Sequence, residues 1–416
     1  MARKAKRDLT VSEQLARGPV DLPFLMLTLL LLGVGLIMVL SASYATAYYD
    51  KNTASPLAYA LAQSRYAVVG LVLMYFMSKL NYERLRGLSA PLLIGSALLL
   101  VMVLTPLGVV VNNAQRWLKL LFVAGPTYQP SEIAKVAVIL FFSARLSKRG
   151  TEKKRKWNRR TNFGRLMERL DRIGLVELMP YGGILLGFAL LLLKEPHLSG
   201  TILVLVGGVS VMFASGVNWG WVLAGILSGA GALAVVIKFT PYMTSRIRLW
   251  RDPWFDAQGK GYQTIQSLYA IGSGGLLGLG LGQSRQKYLF LPEPENDFIF
   301  SISVEELGFV GGILILALFM MFVLRGYWLA IHARDRFGAL VTVGITTLFA
   351  VQVFLNVAVV TNLIPNTGIS LPFFSYGGTA LIIQLVEVGI VLSVSRQIPP
   401  PAQNGSKLSI FPKTVK

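Results

Sequence analysis

Apolar runs of about twenty residues alternate with short polar segments along most of the chain. A helix rises about 1.5 Å per residue, so about twenty apolar residues cross roughly 30 Å of hydrocarbon. Ten stretches meet that requirement: about 22–42, 64–80, 88–107, 131–147, 176–193, 198–216, 219–238, 299–325, 338–363 and 376–397. The pattern predicts an all-α, polytopic membrane protein with about ten transmembrane helices. One connection is far longer than the rest, from about 239 to 298. It mixes Trp250, Trp254, Tyr262 and Tyr269 with Arg246, Arg248, Arg251 and Lys260, a composition suited to a membrane interface. It is expected to lie along the membrane surface rather than form a separate domain. The first run exceeds the core of a signal peptide and reads as a retained span. Gly225 and Gly229 have the spacing of a close helix–helix contact.

Composition sharpens this picture. The 416 residues are 54% hydrophobic and only 14% charged, against about 25% charged in soluble domains. The net charge of +20 does not indicate a nucleic-acid partner, because the basic residues fall between the apolar runs. With the N-terminus cytoplasmic, inner segments hold 27 of the 40 Lys and Arg residues. That bias predicts both termini in the cytoplasm and loop 239–298 outside. Three parts result: a basic N-terminus (1–20), a ten-helix membrane domain (21–397) and a tail (398–416) that reads as disordered. KRGTEKKRKWNRR becomes a cytoplasmic linker beside anionic headgroups. The absence of Cys rules out disulfides and thiol chemistry, and two His residues argue against a histidine metal cluster.

Ionisable residues inside a membrane are costly and mark candidate sites. In GPTYQPSEIAK, Pro130 fits a helix start, and Glu132 and Lys135 are i, i+3 neighbours. They form either a structural ion pair or an anion-binding Lys held by its Glu. Ser131 and Lys135 lack the S-x-x-K spacing of a penicillin-binding nucleophile. NNAQRWLKL carries Arg116, whose planar fork suits phosphate or carboxylate, and Trp117, an interfacial anchor. KEPHLSGT links two helices. PNTGISLPFFSYGGTAL is rich in Pro and Gly, and predicts irregular backbone that is buried or lines a cavity. Glu387 lies within the last span and needs a partner the sequence does not name. GSGGLLGLGLG lacks the GK[ST] of a P-loop and reads as flexible, close-packed backbone.

LPEPENDFIFSISVEELG gathers five carboxylates in a basic protein. Glu293 and Glu295 flank prolines and are expected to be exposed. Asp297 falls at the membrane surface. Glu305 and Glu306 lie about 12–14 Å further along the helix, too far for a close dyad with Asp297. Asp297 is placed to meet a substrate and Glu306 to brace the bundle. A carboxylate in such a cleft can act as a general base.

Taken together, NNAQRWLKL, QPSEIAK, EPHLSGT, GKGYQTIQSLYAIGSGG, LPEPENDFIFSISVEELG and PNTGISLPFFSYGG resemble the SEDS family, the shape, elongation, division and sporulation proteins. EPHLSGT and the basic N-terminus look more like the FtsW/SpoVE branch than the RodA branch, whose version is QPDLGT-like. His197 stands where many relatives carry Asp. The resemblance implies a peptidoglycan glycosyltransferase that joins lipid II into glycan strands at the outer face of the cytoplasmic membrane, with Asp297 as catalytic acid or base. It also implies roles for Arg116, Glu132 and Lys135, and a class B penicillin-binding protein and other divisome or sporulation proteins as partners. Lipid II leaves a pyrophosphate, for which Arg65, Arg116, Lys135, Arg246 and Arg248 are the candidate ligands. Trp117, Glu306 and Ser375 read as supporting residues. No cofactor is indicated by a ligand spacing, and help from a divalent cation stays open. A lipid II flippase and a non-catalytic scaffold are the alternatives.

Overall fold

The computed structural model describes residues 18–49, 55–111, 114–119, 127–149, 161–172, 174–218 and 241–398, with parts of 220–231. The basic N-terminus up to residue 17, most of the KRGTEKKRKWNRR linker and the tail from 399 lie outside the described residues.

The described residues form a bundle of helices, most of them apolar. In chain order they are α1 (Leu22–Tyr49), α2 (Ala58–Lys79), α3 (Glu83–Val103), α4 (Pro130–Leu146), α5 (Asn162–Arg172), α6 (Leu175–Lys194), α7 (Leu198–Ala214), α8 (Pro241–Arg251), α9 (Tyr262–Ser273), α10 (Ile299–Ile331), α11 (Arg336–Val360) and α12 (Gly378–Ser395). Seven of them, α1, α2, α3, α6, α10, α11 and α12, are long and apolar enough to cross a membrane. α4 and α7 have 17 residues each and complete two further predicted spans. The predicted span at 219–238 falls largely outside the described residues, although Gly220, Trp221 and 223–225 are helical.

Small residues set the helix contacts. A Cβ on Gly70 of α2 would come 2.5 Å from Leu385 Cδ1 of α12, and one on Gly389 would come 2.7 Å from the Met74 carbonyl. The two helices therefore approach closely, as small residues permit in a membrane. The central core packs Phe142, Ile139, Val211, Ile345, Phe349 and Phe373 around α4, α7 and α11.

The two ends of the described chain meet. The Asp21 amide donates to Ser395 Oγ (3.2 Å) and Arg396 to the Gly18 carbonyl (3.1 Å). Asp21 caps α1 through the Phe24 amide and pairs with Arg325 at 2.5 Å. Asp335 caps α11 and accepts from Tyr82 and Arg86 at the same end.

Two features depart from the sequence-based expectation. The third span stops at Val103 rather than 107, because the chain enters a three-stranded antiparallel sheet. Its strands are β1 (Gly108–Val111), β2 (Ala114–Lys119) and β3 (Thr127–Tyr128). Val111 pairs with Ala114 and Val109 with Trp117, so the strands carry Arg116 and Trp117 on a fixed hairpin. The second departure is the long connection, which does more than lie on a surface. After α8, a 3-10 turn (Pro253–Asp256) and α9, the glycine run turns back into the bundle and packs against a break in α10.

That break is at Gly308, with φ 72° and ψ −176°, a conformation open essentially to glycine alone. The carbonyls of Glu305 and Glu306 lose helical partners there and accept instead from the amides of Leu279 and Gly280, each at 3.0 Å. Phe309 and Val310 in turn donate to the carbonyls of Gly275 and Leu276 (2.9 and 3.1 Å). A Cβ on Gly278 would lie 2.2 Å from the Glu306 carbonyl, so the contact requires glycine. α10 has 33 residues, about 50 Å of helix. The part from Phe309 to Ile331 covers about 35 Å and suffices to span the hydrocarbon. The break therefore sits near one membrane boundary.

Candidate functional site

Asp297 lies just before α10, at the end of the bundle opposite the two termini, and is half-buried. Its backbone carbonyl accepts from Asn356 Nδ2 of α11 (2.8 Å), and the same nitrogen donates to the Ile369 carbonyl (2.7 Å). The segment before it is stitched to the PFFSYGG loop. Ser375 Oγ donates to the Asn296 carbonyl (2.7 Å) and the Tyr376 amide to the Glu295 carbonyl (2.8 Å). Gln63 of α2 reaches the same loop, donating to the Ser375 carbonyl and accepting from the Gly377 amide. The backbone of Asp297 is thus held directly by α11 and, through Asn296 and Glu295, by the 365–377 loop, which α2 anchors in turn.

The carboxylate itself makes no hydrogen bond among the described residues. Burial pushes it up to about 6, with Glu293 adding to the rise and Arg116 opposing it. Arg116 is the anion-ligand candidate whose charge acts on Asp297. Its guanidinium donates to the backbone carbonyls of Glu195 (3.4 Å) and Pro196, which pins the fork at the β2–α6 junction.

Behind Arg116 is a buried polar column. His197 Nε2 lies 3.2 Å from Gln129 Nε2, and its Nδ1 has no partner among the described residues. Burial, with the cations Arg116 and Lys135, holds the imidazole down to about 3, so it is neutral at pH 7. Lys135 Nζ is 2.8 Å from Glu132 Oε2, the i, i+3 pair expected from the sequence, and Lys135 is 2% exposed. Lys135 attracts Glu387 of α12 and Glu132 repels it, and Glu387 Oε1 has no hydrogen-bond partner among the described residues.

The other expected residues fall in different places. Arg65 is exposed on α2 and interacts electrostatically with Tyr376. Arg246 donates to the Asn366 carbonyl (2.7 Å), and Arg248 stacks on Phe255 at 3.8 Å. Both lie on α8. The 365–368 loop links Arg246 to Asp297: Asn366 Oδ1 accepts from the Gly368 amide, and a Cβ on Gly368 would come 3.2 Å from Asp297 Oδ2. Trp117 is half-buried in β2. Glu295, expected on the surface, is 4% exposed and accepts from Thr46 Oγ1 (3.4 Å), because the PFFSYGG loop and α1 close over it. Glu293 is exposed as expected.

Glu305 and Glu306 do not join Asp297; they organise the helix break. Glu306 accepts from Ser41 Oγ of α1 (2.6 Å) and Lys287 Nζ (2.8 Å), and Lys287 also donates to the Gly282 carbonyl (2.7 Å). Glu305 accepts from Ser284 Oγ (2.5 Å) and the amides of Arg285 (3.0 Å) and Gln286 (3.4 Å). Lys287, Ser41, Asn356 and Gln63 were absent from the sequence-based candidates. Asn356 carried one signal, as a polar side chain inside the apolar run 338–363.

The sequence profile of a cell cycle protein family, FtsW/RodA/SpoVE, matches residues 22–399. Stage V sporulation protein E of Bacillus subtilis is 42% identical over 379 residues, covering 90% of this chain and 97% of its own. A probable peptidoglycan glycosyltransferase FtsW of Geobacter metallireducens is 36% identical over 381 residues, covering 91% and 95%. Among solved structures, a chain of a peptidoglycan synthase complex that coordinates polymerization and crosslinking superposes with a TM-score of 0.70 at 29% identity, covering 91% of this chain and 98% of that one. The rod shape determining protein RodA of Thermus thermophilus superposes with a TM-score of 0.64 at 28% identity, covering 92% and 98%.

Proposed function

The chain belongs to the FtsW/RodA/SpoVE family of cell cycle proteins, and on that premise we propose how it acts as a peptidoglycan glycosyltransferase at the membrane. The substrate is lipid II, whose sugar is linked through pyrophosphate to a membrane-embedded lipid. Asp297 is the general base: its carboxylate removes the proton of an acceptor sugar hydroxyl as that oxygen attacks the anomeric carbon of the donor. The carbon–oxygen bond to the pyrophosphate breaks, and its electron pair remains on the phosphate oxygen. The donor centre is inverted in this single displacement. Arg116 is the first candidate to hold the pyrophosphate, because its charge and Asp297 act on each other at the same end of the bundle. Lys135 is held back by Glu132 and shapes the field behind Arg116.

The observation that carries this reading is a carboxylate with no hydrogen-bond partner among the described residues, on a backbone braced by α11 and by the 365–377 loop. A base needs such an arrangement, ionisable near neutrality and unoccupied by other donors. The basic residues clustered between spans support cytoplasmic termini, which puts Asp297 on the outer face. The structural likeness to a chain from a peptidoglycan synthase complex supports a crosslinking partner of the class B penicillin-binding type. Arg65, Arg246 and Arg248 act at the rim, Arg246 by holding the 365–368 loop. The basic N-terminus and the tail flank the membrane domain of 21–397.

The test is glycan polymerisation from lipid II by the purified chain with a class B partner in liposomes. Wild type should polymerise, and Asp297→Asn, eluting as a monodisperse species, should not. Full activity in Asp297→Asn would remove this residue as the base. Wild type without polymer but with lipid II translocation would replace the enzyme with a transporter.

A further inference from the structure

Glu195 is the carboxyl that this chemistry leaves unused. It follows α6 directly and is 1% exposed. Neither of its carboxyl oxygens has a hydrogen-bond partner among the described residues. A buried, unpaired carboxylate is strongly unfavourable. Such a group is either neutral or completed by something that binds.

Its surroundings indicate what binds. Arg116 of β2 faces Glu195, and its guanidinium donates to the backbone carbonyls of Glu195 and Pro196 rather than to the Glu195 carboxyl. Two residues on, His197 is buried with Nδ1 unpartnered, and it faces Arg116 from β2 and Lys135 from α4, with Gln129 against Nε2. Lys135 is in turn paired with Glu132. Arg116 therefore faces an unsatisfied acid and a neutral imidazole, and its charge also acts on Asp297. A guanidinium in such a setting suits an anion. An ionised Glu195 would repel it, whereas a protonated Glu195 would donate a hydrogen bond to it.

We propose that Glu195, in its protonated form, is a substrate-contacting residue that donates a hydrogen bond to the phosphate oxygen held by Arg116. This rests on the glycosyltransferase reading and names the group at that site that recognises the pyrophosphate. No proton is transferred. The hydrogen bond strengthens as negative charge collects on the departing phosphate, so it favours the transition state. Burial supports the protonated form, pushing the carboxyl up to about 8 against the pull of Arg116. The donor is present below that pH and lost above it.

Glu195→Gln isolates the donor, because its amide donates at every pH. The full chain with its class B partner is assayed in liposomes for polymerisation of lipid II between about pH 6 and pH 9.5. Glu195→Gln should keep kcat/KM within about threefold of wild type at pH 7, and should lose the decline that wild type shows above about pH 8. Glu195→Ala should fall about 10- to 100-fold at pH 7, the range for a hydrogen bond to a charged group. A Gln variant as inactive as the Ala variant would overturn the proposal, since an ionised carboxylate would then be required. An Ala variant equal to wild type would overturn it as well.

Thermal stabilisation by inorganic pyrophosphate is read in parallel, so that a failed polymerisation assay does not decide the matter. Wild type should be stabilised more at pH 7 than at about pH 9.5, and Glu195→Gln equally at both. Equal stabilisation of wild type at the two pH values would defeat the role of Glu195, whatever the enzyme makes. Absence of polymer from wild type, with the pH-dependent stabilisation intact, would defeat the glycosyltransferase reading and leave the anion contact standing.

Discussion

Lys287 Nζ lies 2.8 Å from Glu306 Oε1, and the two side chains are 2% and 0% exposed. Ser41 of α1 joins them, donating to Glu306 and accepting from Lys287 at 3.1 Å. The pair closes the chain between residues 287 and 306 into a loop, and Asp297 lies within it. One end of that loop is fastened inside the bundle and the other continues as α10. The position of Asp297 is therefore tied to a buried charge pair well removed from it. Removing one member of such a pair leaves an uncompensated charge and costs about 3–5 kcal/mol. Lys287→Met should destabilise the protein by that order and abolish polymerisation. Lys287→Met with Glu306→Met should recover most of the stability, because replacing both charges by apolar groups is often neutral. Thermal unfolding in detergent decides this, and a double variant no more stable than the single one would refute the account.

The helix break makes a separate demand on two glycines. Gly308 has φ 72°, and Gly278 has φ 83° with the Glu306 carbonyl 2.2 Å from where a Cβ would stand. Gly278→Ala and Gly308→Ala should each cost about 1–3 kcal/mol in backbone strain, plus the displacement of the contact. Gly272→Ala, with nothing within 4 Å of its Cβ, should leave stability unchanged. Equal melting temperatures for Gly278→Ala and Gly272→Ala would show that the glycine run does not pack as described.

Asp297 predicts the acid side of the pH profile. A base works ionised, and this carboxyl is pushed up to about 6. The value of kcat/KM should therefore rise about tenfold per pH unit below about 6 and level off above it. Glu293 raises the carboxyl and Arg116 lowers it. Glu293→Gln should move the acid limb to lower pH, and Arg116→Gln should move it to higher pH while also weakening activity. A limb that stays fixed in both variants would mean that another group sets it.

The bundle was legible because hydrophobic run length reports membrane spans almost directly, as in Leu22–Tyr49 and Arg336–Val360. The Glu132–Lys135 pair was legible because i, i+3 spacing on a helix is a local rule. The path of 274–291 was not. Its place depends on Lys287 meeting Glu306 and on amides replacing helical hydrogen bonds, contacts between segments that no local pattern encodes. Glu295 looked exposed beside its prolines and is covered by Thr46 and the Tyr376 loop. The β-hairpin bearing Arg116 falls in the segment that the sequence reads as a loop between the spans 88–107 and 131–147, since an apolar run as short as Val109–Val111 does not by itself mark a strand. Arg246 and Arg248 have the chemistry of phosphate ligands, yet their geometry gives them a carbonyl and an aromatic ring.

Asn356 offers the most direct test of how Asp297 is held. It is fully buried in α11, and its one amide nitrogen serves the carbonyls of both Asp297 and Ile369. It thereby joins the start of α10 to the segment after PNTG without a hydrogen bond to the Asp297 carboxylate. Asn356→Leu keeps the volume and strands two buried carbonyls, at a cost of about 1–3 kcal/mol each. The expected result is a folded protein of lowered melting temperature with kcat reduced at least about tenfold, as small displacements of a catalytic group are costly. The acid limb of the pH profile should shift as well, because its position depends on the burial of Asp297. Reduced stability with wild-type kcat and an unmoved limb would show that Asn356 supports the bundle alone, and that the position of Asp297 is set by Ser375 and Tyr376 instead.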